Sequence, residues 1–338
     1  MENIKNFTRE ERKEALKALG VPAFREKQIF GWISKGAKSW QDCKNLGAGL
    51  IQKLSESFSW ENVDVDLVQE STDGTKKFLL SMPDGNKVEA VFMKYSYGNS
   101  LCISTQVGCA MGCRFCASTI GGRIRNLKAW EMLGEYIACR DYAGEPINHI
   151  VLMGMGEPFD NYEEVCRFLD MIHDEEGINL SLRNITLSTC GLVPKIKQFG
   201  DEYPQVNLAI SLHASSQEER EKLMPVANAY SMDELMSACR EHAKKTGRRV
   251  TFEFTLIEGR NDTEETAIAL SKLLKGMLCH VNLIPLNPVT ETGMTGTSRK
   301  SAENFRQILE SKGIPATVRR SMGRDIDAAC GQLRKKNM

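Results

Sequence analysis

The 338-residue chain contains no run of about 18 apolar residues, the length a helix needs to cross the hydrocarbon core of a bilayer. The apolar segment of a secretory leader is missing too, since the first residues, MENIKNFTREERKEALKALG, form a charged amphipathic stretch. A cytoplasmic protein with no membrane partner is expected. Neither sign of charge dominates, because 44 Lys and Arg balance 44 Asp and Glu. Global electrostatics therefore announces no nucleic-acid partner, and any such partner must be held by local patches. The cysteines do not form an even set. Eleven of them, scattered through a chain this long, suit a reducing compartment with thiols used for metal or catalysis better than a disulfide framework.

What is present is enough for a large core, with 41% of residues hydrophobic, and it falls into three regions. Residues 1–60 carry helical patterning in TREERKEALKALG, AFREKQIFGWISK and NLGAGLIQKLSESF, and hold eleven basic against seven acidic side chains. This reads as a small, mildly basic helical module. Residues 61–100 change to alternation with two Asp-Gly pairs between β-rich runs, the signature of a short antiparallel meander. From residue 101 to 338, six apolar β-type runs follow: LCISTQ, HIVLMG, NITLST, VNLAISLH, VTFEFTLIEG and HVNLIPLNP. Each of the first five is followed by a helical pattern, which implies an α/β fold with a parallel sheet and helices outside it. Periodicity alone leaves open whether the sheet closes partly into a barrel or winds doubly. In both cases ligands gather at the carboxyl ends of the strands, where GMGEP, Ser188, SLH, EGRND and Asn287 lie.

Cys109, Cys113 and Cys116 stand in a Gly-punctuated loop after the first of these runs, spaced C-x3-C-x2-C. Three thiolates at this spacing can hold three irons of a four-iron cluster and leave the fourth open to a ligand. A zinc site completed by a distant fourth ligand, or chance clustering of core cysteines, would use the same residues. Together with the strand and helix repeats, the spacing closely resembles the radical S-adenosylmethionine superfamily, whose fold is a partial (β/α)6 barrel. Its C-x3-C-x2-C loop binds a 4Fe-4S cluster, with S-adenosylmethionine on the unique iron.

The stretches VGCAMGCRFCAST with RNL, MGMGEPFDN, LSTCG, ISLHA with LMP, CHVNLIPLNP and DIDAACGQL narrow the resemblance. In this order, over nearly the whole chain, they are similar to the RlmN and Cfr family of RNA adenine methyltransferases. The basic module of residues 1–60 resembles that family's accessory helix-hairpin-helix-like domain. The resemblance implies cofactor contacts at Gly156, Glu157, Ser188, Ser211, Leu212, His213 and Asn287. It also implies that Cys330 is methylated by one S-adenosylmethionine, while a second serves as radical source. Cys102 would then release the product by forming a transient disulfide with Cys330, and Glu89 would accept the substrate proton. Read without the family, Cys102 is a buried strand cysteine, Cys330 an inert small residue and Glu89 a solvent-facing strand residue.

The implied substrates are 23S ribosomal RNA and tRNA, and the implied electron donor is a low-potential flavodoxin or ferredoxin. Candidate phosphate contacts are Arg123, Arg125, Lys128, Arg248, Arg249, Arg319, Arg320, Lys335 and Lys336. Pro158 in GMGEP and the fuller N-terminal module favour methylation of adenine carbon 2 over the Cfr-type reaction at carbon 8. A non-catalytic metal-containing RNA-binding protein is the reading from another class.

Overall fold

The structure is a computed structural model and describes residues 1–287 and 289–333. Lys335 and Lys336 lie outside the described residues. The N-terminal module holds α1 (Arg9–Ala18), α2 (Arg25–Ser34) and α3 (Ala48–Ser55). Thr8 starts α1 with a reciprocal cap: Glu11 N donates to its hydroxyl at 3.4 Å and Thr8 N donates to Glu11 Oε2 at 2.8 Å. Between α1 and α2, Arg12 Nε donates to Glu26 Oε1 at 2.9 Å with both side chains fully buried. Removing either partner would strand a buried charge.

A ten-stranded sheet follows: β1 (Asp64–Glu70), β2 (Lys76–Ser81), β3 (Lys87–Tyr95), β4 (Gly98–Ile103), β5 (His149–Leu152), β6 (Ile185–Thr189), β7 (Asn207–Ser211), β8 (Val250–Leu256), β9 (Cys279–Pro285) and β10 (Ala316–Val318). Strands β1 to β4 pair antiparallel, and both Asp-Gly pairs fall in their turns, where Gly74 and Gly85 have φ of +85° and +83°. Strands β4 to β10 pair parallel, each with the next in the chain. A doubly wound sheet reverses its strand order at a switch point, and this one never does. With right-handed crossovers, an unbroken order lays the helices on one face and curls the sheet into an open barrel.

The crossovers carry α4 (Ala129–Ala143), α5 (Tyr162–His173), α6 (Val193–Glu202), α7 (Gln217–Leu223), α8 (Met232–Thr246), α9 (Glu264–Leu274) and α10 (Arg299–Ser311). All six sequence runs are strands. The seventh parallel strand, β10, has three residues and gives no periodic signal. The meander is continuous with the barrel, since β3 pairs with β4 from Val91↔Cys102 to Tyr95↔Gly98. No helix among the described residues is long and apolar enough to cross a membrane. The N-terminal module docks on the outer helices, where Arg167 of α5 holds Glu11 at 2.6 Å and Arg140 Nη1 of α4 donates to Ser34 O at 2.7 Å.

Candidate active site

The loop between β4 and α4 is bent by glycine. Gly108 has φ +76°, and a Cβ there would lie 2.0 Å from the carbonyl oxygen of Gly122. The turn that follows is closed by Cys116 N donating to Cys113 O at 3.1 Å and Thr119 Oγ1 donating to Cys116 O at 2.9 Å. Cys109, Cys113 and Cys116 border a single open cavity of about 920 Å³ at the carboxyl ends of the strands. Phe115, Leu223, Met224 and Val226 form an apolar cluster against them. Burial pushes all three thiols up, Cys109 to about 12. Ionising them therefore requires a strongly electropositive partner.

Across the cavity stand Gly156, Glu157, Ser188, Ser211, His213 and Asn287. A Cβ on Gly156, whose φ is +106°, would come within 2.8 Å of Gln106 N, so only glycine lets the backbone fold over that residue. Burial raises the Glu157 carboxyl, which accepts from Cys190 N at 2.7 Å and Phe159 N at 3.0 Å. Ser188 and Ser211 hydroxyls lie 3.5 Å apart on neighbouring strands. His213 Nδ1 accepts from Thr255 N at 2.9 Å, and burial lowers its pKa to about 3, so its ring is neutral. Leu212 is the exception among the sequence-read contacts: its side chain is fully buried and does not border the cavity. It can offer a ligand only its backbone.

Cys330 also borders this cavity, and with Cys102 it lines a smaller adjoining one of about 500 Å³. Both thiols are free. Cys102, on the first parallel strand, is pushed to about 12 by burial and by the nearby Cys330, with Arg319 opposing. The segment 319–333 brings Cys330 back across the open side of the barrel as a strap. It is tied to the β1–β2 turn, where Ser71 Oγ donates to Asp325 Oδ1 at 2.5 Å, Thr72 N donates to Asp325 Oδ2 at 3.1 Å and Gly323 N donates to Asp73 Oδ2 at 3.0 Å. It is tied to the cysteine loop as well, through Ala117 N to Gly331 O at 2.8 Å and Ser118 Oγ to Leu333 O at 2.7 Å. Asn287 Nδ2 donates to Cys330 O at 3.2 Å, leaving its buried Oδ1 without a partner.

Two sequence readings change here. Glu89 is not solvent-facing: it is 6% exposed, with Oε1 3.4 Å from Lys77 Nζ, and it borders neither cavity. Arg319 is not a surface phosphate contact. Its guanidinium faces inward, 3.9 Å from Glu253 Oε2, and its pKa is raised first by Cys330, against burial, and then by Glu253. The loop cations are also engaged. Arg123 is paired with Asp160, Arg125 with Asp84 at 2.6 Å and Glu131 at 2.7 Å, and Lys128 with Glu164 at 2.9 Å. The roles of Arg319, Glu253 and the Asp325 tie left no sequence motif, because each depends on partners far away in the chain.

Among the described residues, no three His, Cys, Asp or Glu side chains are grouped to hold a single metal ion. Three thiols spread along one wall of a large cavity, with hydroxyl, amide and carboxylate groups opposite, fit an iron–sulfur cluster with a polar organic ligand on its free iron. A sequence profile described as the Radical SAM superfamily matches residues 103–270. The probable dual-specificity RNA methyltransferase RlmN of Clostridium perfringens strain 13 is 53% identical over 99% of this chain and 97% of its own. Its counterpart in Clostridioides difficile strain 630 is 51% identical over 98% and 97%. A radical SAM methyltransferase from Sphaerobacter thermophilus superposes with a TM-score of 0.95 at 44% identity, over 99% of both chains. With its three-thiol loop, its open barrel and this similarity along its whole length, the chain belongs to the RlmN family of radical S-adenosylmethionine methyltransferases.

Proposed function

We propose that this protein methylates carbon 2 of adenosine in 23S ribosomal RNA and in tRNA, with Cys330 as methyl carrier and Cys102 as the releasing thiol. What supports the reading above all is that these two free thiols, one on the first parallel strand and one beyond the last, border one small cavity beside the three-cysteine loop. The RlmN relatives are named as RNA methyltransferases of dual specificity. When bound, a four-iron cluster on Cys109, Cys113 and Cys116, with S-adenosylmethionine drawn on twice per turnover, supplies the methyl group and the single-electron chemistry that a strong aryl C–H bond demands.

The protein's own groups supply the rest. Glu157 offers a carboxylate to an ammonium group, Gly156 permits close backbone approach, and Ser188, Ser211, Asn287 and the Leu212 backbone offer hydrogen bonds. His213, held neutral, walls the site and adds no charge. Cys330 must lose its proton to accept a methyl group, and Arg319 borders both cavities that Cys330 lines. Once the carbon is joined to the base, Cys102 as thiolate attacks the Cys330 sulfur. A sulfur–sulfur bond forms, the carbon–sulfur bond breaks, and its electron pair passes to the carbon, which takes a proton from water to become the methyl group. Glu89, whose Oε1 lies 3.4 Å from Lys77 Nζ, is the assigned acceptor of the substrate proton.

Restoring both thiols and reducing the cluster calls for a low-potential donor such as flavodoxin or ferredoxin, and a cytoplasmic setting suits thiols that cycle in this way. Residues 1–60 serve as an accessory RNA-facing module, 61–100 as the meander that anchors the strap, and 101–338 as the catalytic domain. The test is mass spectrometry of nucleosides after anaerobic reaction of reconstituted protein with labelled-methyl S-adenosylmethionine and unmodified RNA. Label in 2-methyladenosine, lost in Cys330→Ala, is the expected result. Label in 8-methyladenosine, or an unaffected Cys330→Ala, overturns it.

A further inference from the structure

The barrel has a second opening. At the amino-terminal end of the parallel strands lies a polar cavity of about 1040 Å³, and Thr186, Asn207 and Thr251 line it from the first two residues of β6, β7 and β8. Closed barrels fill this level with branched apolar side chains, so hydroxyl and amide groups here mark a space built for water or a polar ligand. It adjoins the catalytic cavity, since Met153, Glu253 and Arg319 border both. At that junction Glu253 is 4% exposed and its Oε2 has no hydrogen-bond partner. At 3.9 Å from Arg319 Nη1, this buried carboxylate oxygen is held by charge alone, without a hydrogen bond.

The rim of this mouth carries aromatic and cationic groups together. Tyr95 and Tyr97, at the β3–β4 turn, stack with centroids 5.0 Å apart and planes 6° from parallel, and Tyr97 is 66% exposed. Arg249 and Arg320 line the same opening, are exposed, and make no ion pair or side-chain hydrogen bond among the described residues. Arg183 adds to the crowding: burial, then Arg183 and Arg249, lower the pKa of Arg248. Cations left beside one another without carboxylates favour an anionic ligand. Exposed aromatic faces beside them favour an unstacked base.

We infer that single-stranded RNA enters from this end, laying a base on Tyr97 and its flanking phosphates on Arg249 and Arg320, so that the target adenosine reaches Cys330 past Met153 and Arg319. The inference deepens the RNA reading above and rests on it. The alternative route, over the cysteine loop, has cations already committed to carboxylates.

Binding of a fluorescently labelled RNA hairpin with an unpaired loop adenosine, followed by anisotropy against salt, tests it on the full chain. Tyr97→Ala weakens binding about tenfold, and Tyr97→Phe restores it. Arg249→Ala combined with Arg320→Ala makes the log-log salt slope shallower by about 1.4, two lost phosphate contacts on single-stranded RNA. Thermal melts confirm that each variant is folded. If wild type binds and methylates RNA while these variants match it in affinity and salt slope, or if Arg123→Ala carries the loss instead, the route is wrong and the basal arginines serve another anion, such as an acidic protein. If wild-type protein neither binds nor methylates RNA, the RNA reading itself falls, and this inference with it.

Discussion

The two ends of the barrel are made by the same strands and treat charge in opposite ways. At the carboxyl end, Arg123, Arg125 and Lys128 face carboxylates, and the cavity beyond them is walled by thiols and apolar side chains. At the amino end, Arg183, Arg249 and Arg320 are exposed and make no ion pair among the described residues. Counting basic residues along the sequence weights both groups equally. Only the placement of their partners separates cations that hold the loop together from cations free to hold a polyanion.

The sharpest way to break this contrast is to damage one end and watch the other. Cys113→Ala removes one of three thiols, so reconstituted protein loses its iron and all RNA methylation, whereas hairpin affinity stays within about twofold of wild type. Iron analysis beside anisotropy checks this, and a joint loss would mean that the two ends are not separable. Arg319 stands where they meet. Arg319→Met, which leaves Glu253 buried without its cation at the edge of both cavities that Cys330 lines, slows methylation of Cys330 about tenfold, and Arg319→Lys recovers part of it. The mass of the Cys330 peptide over time provides the readout.

The strap supplies a test by pH. Although burial opposes it, hydrogen bonds from Thr75 and Gly323 hold the Asp73 carboxyl down to about 2. A carboxyl depressed in the folded state contributes stability that is full above its unfolded value, about 3.9, and is lost as pH falls through 2. The thermal midpoints of wild type and Asp73→Asn therefore differ by a constant amount above about pH 5 and converge near pH 2. The smallest effect is expected at Arg125→Ala. RNA affinity moves less than about twofold, while stability drops by about 1 kcal/mol from the lost pairs with Asp84 and Glu131.

Much of this was legible in the sequence because the signals were local. Six strands, the Asp-Gly turns and the cysteine spacing each lie within a dozen residues, and the structure has all of them. Periodicity did not choose between a barrel and a doubly wound sheet, since strand order is a long-range property, but the resemblance to the superfamily implied the barrel and the unbroken strand order agrees with it. Glu89 misled because a lone Glu in an alternating run reads as solvent-facing, while Lys77 on the neighbouring strand permits its burial. Arg319 misled for the same reason, its partners Glu253 and Cys330 coming from another strand and from the strap. The resemblance that implied a contact at Leu212 did not say by which atoms, and since its side chain belongs to the core, its backbone is what it can offer.

The strap has one further consequence, and it concerns the order of assembly. Strands β1 to β10 each pair with the next in the chain, so the sheet can grow by short closures. The ties from Ser71 and Asp73 to Asp325 and Gly323 instead close a loop around the entire barrel, the largest chain-entropy cost in the molecule. This closure of high sequence separation predicts that the segment docks last in folding, an order that hydrogen exchange of the Gly323 amide beside the sheet amides would check. Until the closure is made, the polypeptide has its three-cysteine loop but no Cys330 beside it. On the proposed mechanism, a partly folded molecule therefore has no sulfur in place to take a methyl group.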